Sequence, residues 1–324
     1  MAEQSSAAYA IGRIRARQRN QMDKGRLERL VAAASEDEIA AILREMDWGT
    51  SADLSKLPDE FLKEQTLFFR SVVPDAAVAE AFLYEYDTAN IKMLLKARCM
   101  GLTEDVPLSE CGLIPLQTLE HDVAQHRYNG LNEILVKALD ELEKRLSVSS
   151  DPLDIDITLD KAYYALAFSS LGARYPLIRE YFTYKVDFLN CISLIRVIAM
   201  GKSESLYLRL FIDGGTIEKE QLLSAIDSPE KLPRLYAKFG RDISSAIESA
   251  QSSQIPVAQL EKQMDDASYK LFMPQRNTAT ETETVVEYYL RSRREASVAR
   301  ILIAAAVNGF SPDAVRERMR DMYV

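Results

Sequence analysis

The sequence predicts an all-α protein, and three observations support this fold class. The chain has 324 residues but only 12 glycines and 11 prolines, so it contains few of the residues that make tight turns. Apolar residues recur at helical spacing in nearly every long segment, and no regular series of strands is visible. A long helical stretch also recurs after 100 residues, which indicates a chain built from repeated helical units.

Two segments show the helical pattern well. Residues 25–49 place their apolar side chains on faces with a period near 3.6. Ser35 and Glu38 have the spacing of a capping box, so a second helix is expected to begin there. Residues 130–146 are amphipathic and rich in strong helix formers. Both segments therefore predict helices.

Three further segments lead to weaker expectations. Residues 151–160, "DPLDIDITLD", predict a short extended piece. Residues 273–284 are polar and predict a loop. The last segment, 311–324, predicts a helix with Ser311 as its cap and Pro312 at its first position.

The repeat is the strongest signal of organisation. "YEYDTANIKMLLKARCMG" (84–101) and "YKVDFLNCISLIRVIAMG" (184–201) share a tyrosine, an aspartate, an asparagine, a leucine and a final Met-Gly pair. The match continues upstream without a gap, so that residues 59–101 align with 159–201. This length of ungapped similarity predicts two copies of one helical unit.

A third, more divergent copy ends the chain with "VVEYYLRSRREASVARILIAAAVNG". Aligning Gly309 with Gly101 places Glu295 where the first copy has Asp87, and Val298 where that copy has an asparagine. The sequence therefore predicts three similar helical-bundle units, at residues 1–105, 106–205 and 206–324.

Polar side chains stand at the same places in each copy of the repeated helix: Asp87, Asn90, Asp187, Asn190 and Glu295. Their spacing puts them on the apolar stripe, where a carboxylate or amide has to be hydrogen-bonded. Two interpretations remain open. The residues form a structural contact that fixes each helix, or Asp87 is a helix N-cap with Asn90 in the first turn. No nucleophile or metal ligand recurs beside them, so no catalytic role is predicted.

Composition excludes several classes of protein. The formal net charge of −9 argues against general nucleic-acid binding. The three cysteines, Cys99, Cys111 and Cys191, offer neither a disulfide framework nor a CxxC metal pair. No apolar run approaches the about 20 residues of a membrane span. We therefore expect no cofactor, no metal site and no transmembrane helix.

Two short motifs resemble ligand sites but fit other interpretations better. "GKS" at 201–203 lacks the earlier glycine of a phosphate-binding loop, because position 196 is arginine, so Gly201 is expected to end a helix. "DDASY" at 265–269 lacks the last aspartate of an Asp-rich metal motif and predicts a solvated acidic turn.

Taken together, the repeated helices resemble the signature Y-x-x-D-x-x-N-x-x-x-L-[LI]-[RK]…G of the C subunits of archaeal and bacterial V/A-type ATPases, which are relatives of the d subunit of the vacuolar ATPase. "YAIGRIRARQ" near the N-terminus, "FIDGGTIEKEQLLSAI" (211–226) and "EASVARILIAAAVNGF" near the C-terminus resemble other elements of that family. The resemblance covers nearly the whole chain, with Val298 as a departure in the third copy.

This resemblance implies a funnel or socket of three similar units around a pseudo-threefold axis, with no active site and no cofactor. It implies a rotor subunit that couples the central-stalk shaft subunits to the membrane proteolipid ring and transmits torque for ion transport. The expected location is peripheral, at the cytoplasmic face of the membrane. Candidate shaft contacts are Lys92, Lys96, Arg98, Arg196 and Arg300, although charges on a helix face are more often simply solvated.

Two alternative classes of protein fit the pattern less well. A soluble α-helical repeat scaffold unrelated to ATPases would share the repeats, but such arrays usually have units of about 30–45 residues and an open end. An all-helical enzyme would need a convergent polar pocket, for which the sequence offers no motif.

Overall fold

The structure, a computed structural model, describes residues 7–33, 35–102, 106–273 and 280–310, together with 316 and 319. Within these ranges the chain is helical and contains no strand, which confirms the predicted all-α class. Two 3₁₀ turns accompany fifteen α-helices in this described part of the chain. The α-helices are α1 (Ala7–Gln18), α2 (Lys24–Ala32), α3 (Glu36–Glu45), α4 (Leu57–Val72), α5 (Ala76–Cys99), α6 (Leu116–Gln125), α7 (Glu133–Leu146), α8 (Pro152–Leu171), α9 (Pro176–Ala199), α10 (Glu204–Leu210), α11 (Lys219–Asp227), α12 (Lys231–Leu235), α13 (Arg241–Gln251), α14 (Val257–Lys270) and α15 (Glu281–Asn308).

The helices form two compact bodies. One body combines Met1–Ala79 with Phe272–Val324, and the other comprises Glu80–Leu271. The first body therefore brings helices from the two ends of the sequence together. None of the described helices has the length and apolar character that crossing a bilayer requires.

The core of the first body lies between α4 and α15. The rings of Phe69 and Tyr289 stack with their centroids 4.2 Å apart. The Tyr289 hydroxyl lies 3.2 Å from Thr66 Oγ1, and the Tyr288 hydroxyl donates to Gln65 Oε1 at 2.8 Å. Both buried tyrosines thus satisfy their polar ends while their rings pack, which ties the last long helix to the fourth helix.

The second body contains two apolar clusters. In one, Ile91 and Leu95 of α5 pack with Leu135, Leu139 and Leu142 of α7, all fully buried. The other joins α9 to the helices from α10 to α14. Each long helix, α5 or α9, is therefore packed against the helices that follow it in the sequence.

The three longest of the described helices end in the same way. Each is followed by a glycine with positive φ: Gly101 at 66°, Gly201 at 60° and Gly309 at 67°. The next residue donates its backbone N–H to a carbonyl five positions back, as Leu102 does to Ala97 at 2.9 Å. This Schellman geometry favours glycine. It confirms that Gly201 ends a helix, and it supports the alignment of Gly309 with Gly101.

Two expectations from the sequence were wrong. Residues 151–160 are not extended, because Asp151 caps α8 by accepting the Leu153 N–H at 3.0 Å and Ile155 is buried on that helix. The motif at 265–269 is not a turn, since it lies within α14, where Asp265 pairs with Lys185 at 2.9 Å.

Two further expectations concern the C-terminal part. The predicted loop at 273–284 ends earlier than expected, because α15 begins at Glu281 behind a capping box of Thr280 and Glu283. Residues 274–279 lie outside the described part of the chain, as do Ser311 and Pro312 of the predicted last helix.

Candidate functional site

The first polar pair holds the loop that follows its own helix. Asn90 is buried on α5, and its amide donates to the Ser109 carbonyl and accepts the Ser109 N–H, both at 2.8 Å. Asp87, fully buried, accepts the backbone N–H groups of Leu113 at 3.0 Å and Ile114 at 3.1 Å. The pair therefore clamps residues 109–114 onto α5. Asp87 lies in mid-helix, so the N-cap interpretation was wrong.

The second pair repeats this arrangement on α9. Asn190 donates to the Ile212 carbonyl and accepts the Ile212 N–H, both at 2.9 Å. Asp187 accepts the Thr216 N–H at 2.9 Å, the Thr216 hydroxyl at 2.7 Å and the Ile217 N–H at 3.1 Å. Both side chains are at most 1% exposed. The same two residue types thus hold the same two points of the following loop.

A glycine in each loop lets the carboxylate approach. A Cβ added to Gly112 would lie 2.1 Å from Asp87 Oδ1, and one added to Gly215 would lie 2.4 Å from Asp187 Oδ1. Real Cβ atoms essentially never come within 3.0 Å of another heavy atom, so a side chain at either glycine would push the loop away from the buried carboxylate. Glycine is therefore part of each clamp.

The third helix uses different chemistry at the same place. Glu295, fully buried on α15, accepts the backbone N–H of Met22 at 3.1 Å. Arg291 donates to Glu295 Oε1 at 3.3 Å and to the Met22 carbonyl at 3.2 Å. Together these two side chains hold the N–H and C=O of one residue, which is the task of Asn90 and Asn190 in the other copies. Val298, at the position of the missing asparagine, is buried without taking part.

The clamped loops follow a cyclic order along the chain. The loop held by α5 leads into α6, and the loop held by α9 leads into α11. The loop held by α15 is not downstream but at the start of the chain, where Met22 leads into α2. The helices α5 and α9 therefore each hold a loop further along the sequence, and α15 holds a loop near the start of the described chain.

Sequence reasoning missed the loops themselves. They share an acidic residue, a glycine two positions later and a large aliphatic residue two positions after that: Asp23-Lys-Gly25-Arg-Leu27, Glu110-Cys-Gly112-Leu-Ile114 and Asp213-Gly-Gly215-Thr-Ile217. This spacing was visible in the sequence. It was not connected to the polar pairs because the groups it presents to them are backbone N–H groups.

Burial has a clear electrostatic effect at the third clamp. Removal from water raises the pKa of Glu295 to about 7, against the opposing influence of Arg291. The ordinary pKa of a glutamate is 4.5. The Glu295 carboxyl is therefore the group of this clamp whose protonation changes near neutral pH.

The five candidate shaft contacts all take part in ion pairs within the chain. Each partner lies on another helix of the same compact body: Lys92 with Asp160, Lys96 with Asp156, Arg98 with Glu143, Arg196 with Glu261 and Arg300 with Asp59. Pairs that are partly exposed contribute little stability, about 0–1 kcal/mol each. These pairs therefore contribute little to holding their helices together.

One of these pairs belongs to a denser cluster. Glu143 accepts from both the Arg98 guanidinium, at 2.7 Å, and the Tyr128 hydroxyl, and lies 3.0 Å from His126 Nδ1. Burial alone would raise the pKa of Glu143, but these hydrogen bonds hold it below its ordinary value. The cluster has no metal-binding geometry, and no group of three or more metal-ligand side chains occurs among the residues described.

We predict that Asn190→Ala destabilises the protein, because the buried N–H and C=O of Ile212 would both lose their partner. The expected loss is about 2–4 kcal/mol of unfolding free energy, measured by urea denaturation. Arg196→Gln on the same helix breaks only a half-exposed ion pair and should cost less than about 1 kcal/mol. Equal losses in the two variants would contradict the clamp.

The glycine requirement gives a second prediction, with a matched pair of substitutions. Gly215→Ala should lower the unfolding free energy by about 1–3 kcal/mol, because its Cβ collides with Asp187. Gly12→Ala, on α1 with no atom within 4 Å of its added Cβ, should instead stabilise by about 0.5–1 kcal/mol. A neutral effect at Gly215 would show that the loop does not rest on the carboxylate.

A third prediction concerns pH. The folded protein binds a proton at Glu295 between about pH 4.5 and 7 that the unfolded chain does not, so this contribution to stability is lost as the pH rises through 7. Glu295→Gln should match the wild type at pH 5 and exceed its unfolding free energy at pH 8, by up to about 3 kcal/mol. A variant that is less stable at pH 8 would contradict this assignment.

Comparison with known proteins places the chain in a family. The family model described as ATP synthase (C/AC39) subunit matches residues 10–318. The C subunit of the V-type sodium ATPase of Enterococcus hirae is 22% identical over 327 residues, covering 96% of this chain and 97% of that protein. The C subunit of the A-type ATP synthase of Pyrococcus abyssi is 21% identical and covers 97% of this chain and 90% of that protein.

A third relative matches over a shorter stretch. The C subunit of the A-type ATP synthase of Methanocaldococcus jannaschii is 25% identical over 226 residues, so the match spans 61% of this chain and 55% of that protein. All three of these relatives are C subunits of an A-type ATP synthase or a V-type sodium ATPase. With a family match that runs through nearly the whole sequence and all three clamps, the chain belongs to the ATP synthase (C/AC39) subunit family.

Proposed function

We propose that the chain is the rotor subunit that couples the central-stalk shaft to the proteolipid ring of a V/A-type rotary ATPase. In this role it transmits torque for ion transport and catalyses no reaction itself. It sits peripherally at the cytoplasmic face of the membrane, bound through its partners. Membership of the ATP synthase (C/AC39) subunit family supports the assignment of the chain to such a complex.

The cyclic order of the clamps is the observation that carries the coupling role. Turning one unit against the next would pull backbone N–H groups off a buried carboxylate, and each group left unpaired costs about 1–3 kcal/mol. In an open row of units, the first and last would have no such contact. Here Glu295 and Arg291 hold Met22, so every unit is held on both sides.

The proposed units remain residues 1–105, 106–205 and 206–324, arranged as a funnel around a pseudo-threefold axis. Their equivalence is supported by the matching helix ends at Gly101, Gly201 and Gly309. It is also supported by the three loops with the same acidic-x-Gly-x-aliphatic spacing. A socket made of three equivalent units offers the shaft the same surface three times.

Among the candidate shaft contacts, Arg196 and Arg300 are the best placed to bind a partner. Their side chains are 55% and 44% exposed despite their ion pairs. Lys92 and Arg98 are only 19% and 25% exposed and are largely occupied by Asp160 and Glu143. We therefore assign shaft contact first to Arg196 and Arg300, and leave the more buried cations as links between units.

Affinity purification tests the proposed partners. The tagged chain, isolated from its native membranes in a mild detergent, should bring with it the proteolipid and the shaft subunits. Recovery of neither would count against the rotor role and revive the scaffold alternative. Charge reversal of Arg196 and Arg300 together should reduce recovery of the shaft while leaving the melting temperature within a few degrees of the wild type.

We also predict a defect in coupling. Asn190→Ala should lower the number of ions moved per ATP hydrolysed in reconstituted vesicles, because a loosened unit turns without passing on all of its torque. Lys137→Gln, an exposed change on α7, is the control and should leave the ratio unchanged. A variant that loses hydrolysis and transport in equal proportion would contradict a role in coupling.

A further inference from the structure

The three clamps are unequal in the number of backbone groups they hold. Asp87 and Asn90 together engage four backbone groups in three residues of their loop. Asp187 and Asn190 likewise engage four, together with the Thr216 hydroxyl. Glu295 and Arg291 engage two, both on Met22. The contact that closes the cycle is therefore the smallest.

In the first loop, a backbone group that the third clamp does not bind is instead hydrogen-bonded within the loop itself. By the loop alignment, the N–H of Arg26 corresponds to that of Leu113, which Asp87 accepts. In the first loop it is donated to Asp23 of the same loop instead, at 2.8 Å. The Arg26 guanidinium also donates to the carbonyls of Gln21, at 2.6 Å, and Arg19, at 2.8 Å. This loop is thus held in shape by its own unit and would keep these bonds if it left α15.

Buried polar atoms and a cavity also mark this junction. Glu295 Oε2 and Gln21 Nε2 are buried and have no hydrogen-bond partner among the described residues. A cavity of about 570 Å³ lies next to Gln21 and is also lined by Arg291, the partner of Glu295. A buried polar atom without a hydrogen bond raises the free energy of the closed state. Opening lets water bind to that atom and so removes this penalty.

We propose that the junction between Met22 and Glu295 is the joint at which the cycle of contacts opens, while the other two clamps stay closed. Opening separates the N-terminal loop and α2 from α15. If the opening serves to close the chain around a shaft, that role rests on the proposed function. The opening itself does not depend on the proposed function. It is a property of the isolated chain.

Amide hydrogen exchange tests the joint at three equivalent positions. The N–H groups of Met22, Ser109 and Ile212 are each bonded to a side chain of a long helix. After correction for intrinsic rates, the Met22 amide should exchange at least about tenfold faster than the other two, because it is exposed by an opening that costs less free energy than global unfolding. Equal protection of the three amides would overturn the proposal.

A distance measurement separates opening from fraying of the chain end. Spin labels at Lys24→Cys and Ala304→Cys span the joint. A control pair at Glu120→Cys and Met93→Cys spans the α5 clamp. All four positions are exposed. Cys99 is replaced by serine, while Cys111 and Cys191 are buried and stay unlabelled. The first pair should show a second, longer distance and the control pair a single one. A single distance in both pairs would overturn the proposal.

Arg291→Ala supplies the matched perturbation. It removes the contact with the Met22 carbonyl, so the longer-distance population and the exchange of the Met22 amide should both rise several-fold, with Ser109 and Ile212 unchanged. Loss of protection at all three clamps would mean general destabilisation and would count against a local joint. Because these measurements use the isolated chain, their outcome is independent of whether it binds a shaft or a ring.

Discussion

A carboxylate buried inside a helical bundle must find hydrogen-bond donors, and this requirement organises the molecule. Asp87 and Asp187 find theirs in the backbone N–H groups of a loop further along the sequence, and a glycine in each loop makes the approach possible. Each of these two helices is thereby bound to a loop that leads into another helix. The position of each loop on its helix and the need for glycine in it both follow from where these carboxylates find their donors.

The same constraint explains the divergent third copy. Glutamate is one methylene longer than aspartate, and from the Asp87 position it reaches the residue that an asparagine holds in the other copies. Arg291, one helical turn away, supplies the donor for the carbonyl. The loss of asparagine at position 298 is thus compensated, but with fewer backbone bonds and with a carboxyl whose pKa is raised to about 7.

The helices, the repeat and the glycines at the helix ends could be predicted because local sequence patterns indicate them. These patterns are the helical spacing of apolar residues, the matching positions of Gly101 and Gly201, and the recurrence of Asp and Asn. The burial of the polar pairs followed from their position on the apolar stripe. Their partners could not be predicted, since backbone N–H groups carry no residue identity, and Met22 lies 273 positions from Glu295. The cations expected to face the shaft were equally ambiguous, because sequence does not show that Asp160 or Glu261 is already beside them.

Our central proposal is that the three proposed units close into a cycle through the contact of α15 with the loop at Met22. A cryo-electron microscopy map of the chain in its assembled rotary complex tests this most directly. We expect three long helices surrounding the shaft, with density for Met22 against Glu295 and Arg291. A row of units with its ends apart, or a chain lying outside the axis of rotation, would contradict it.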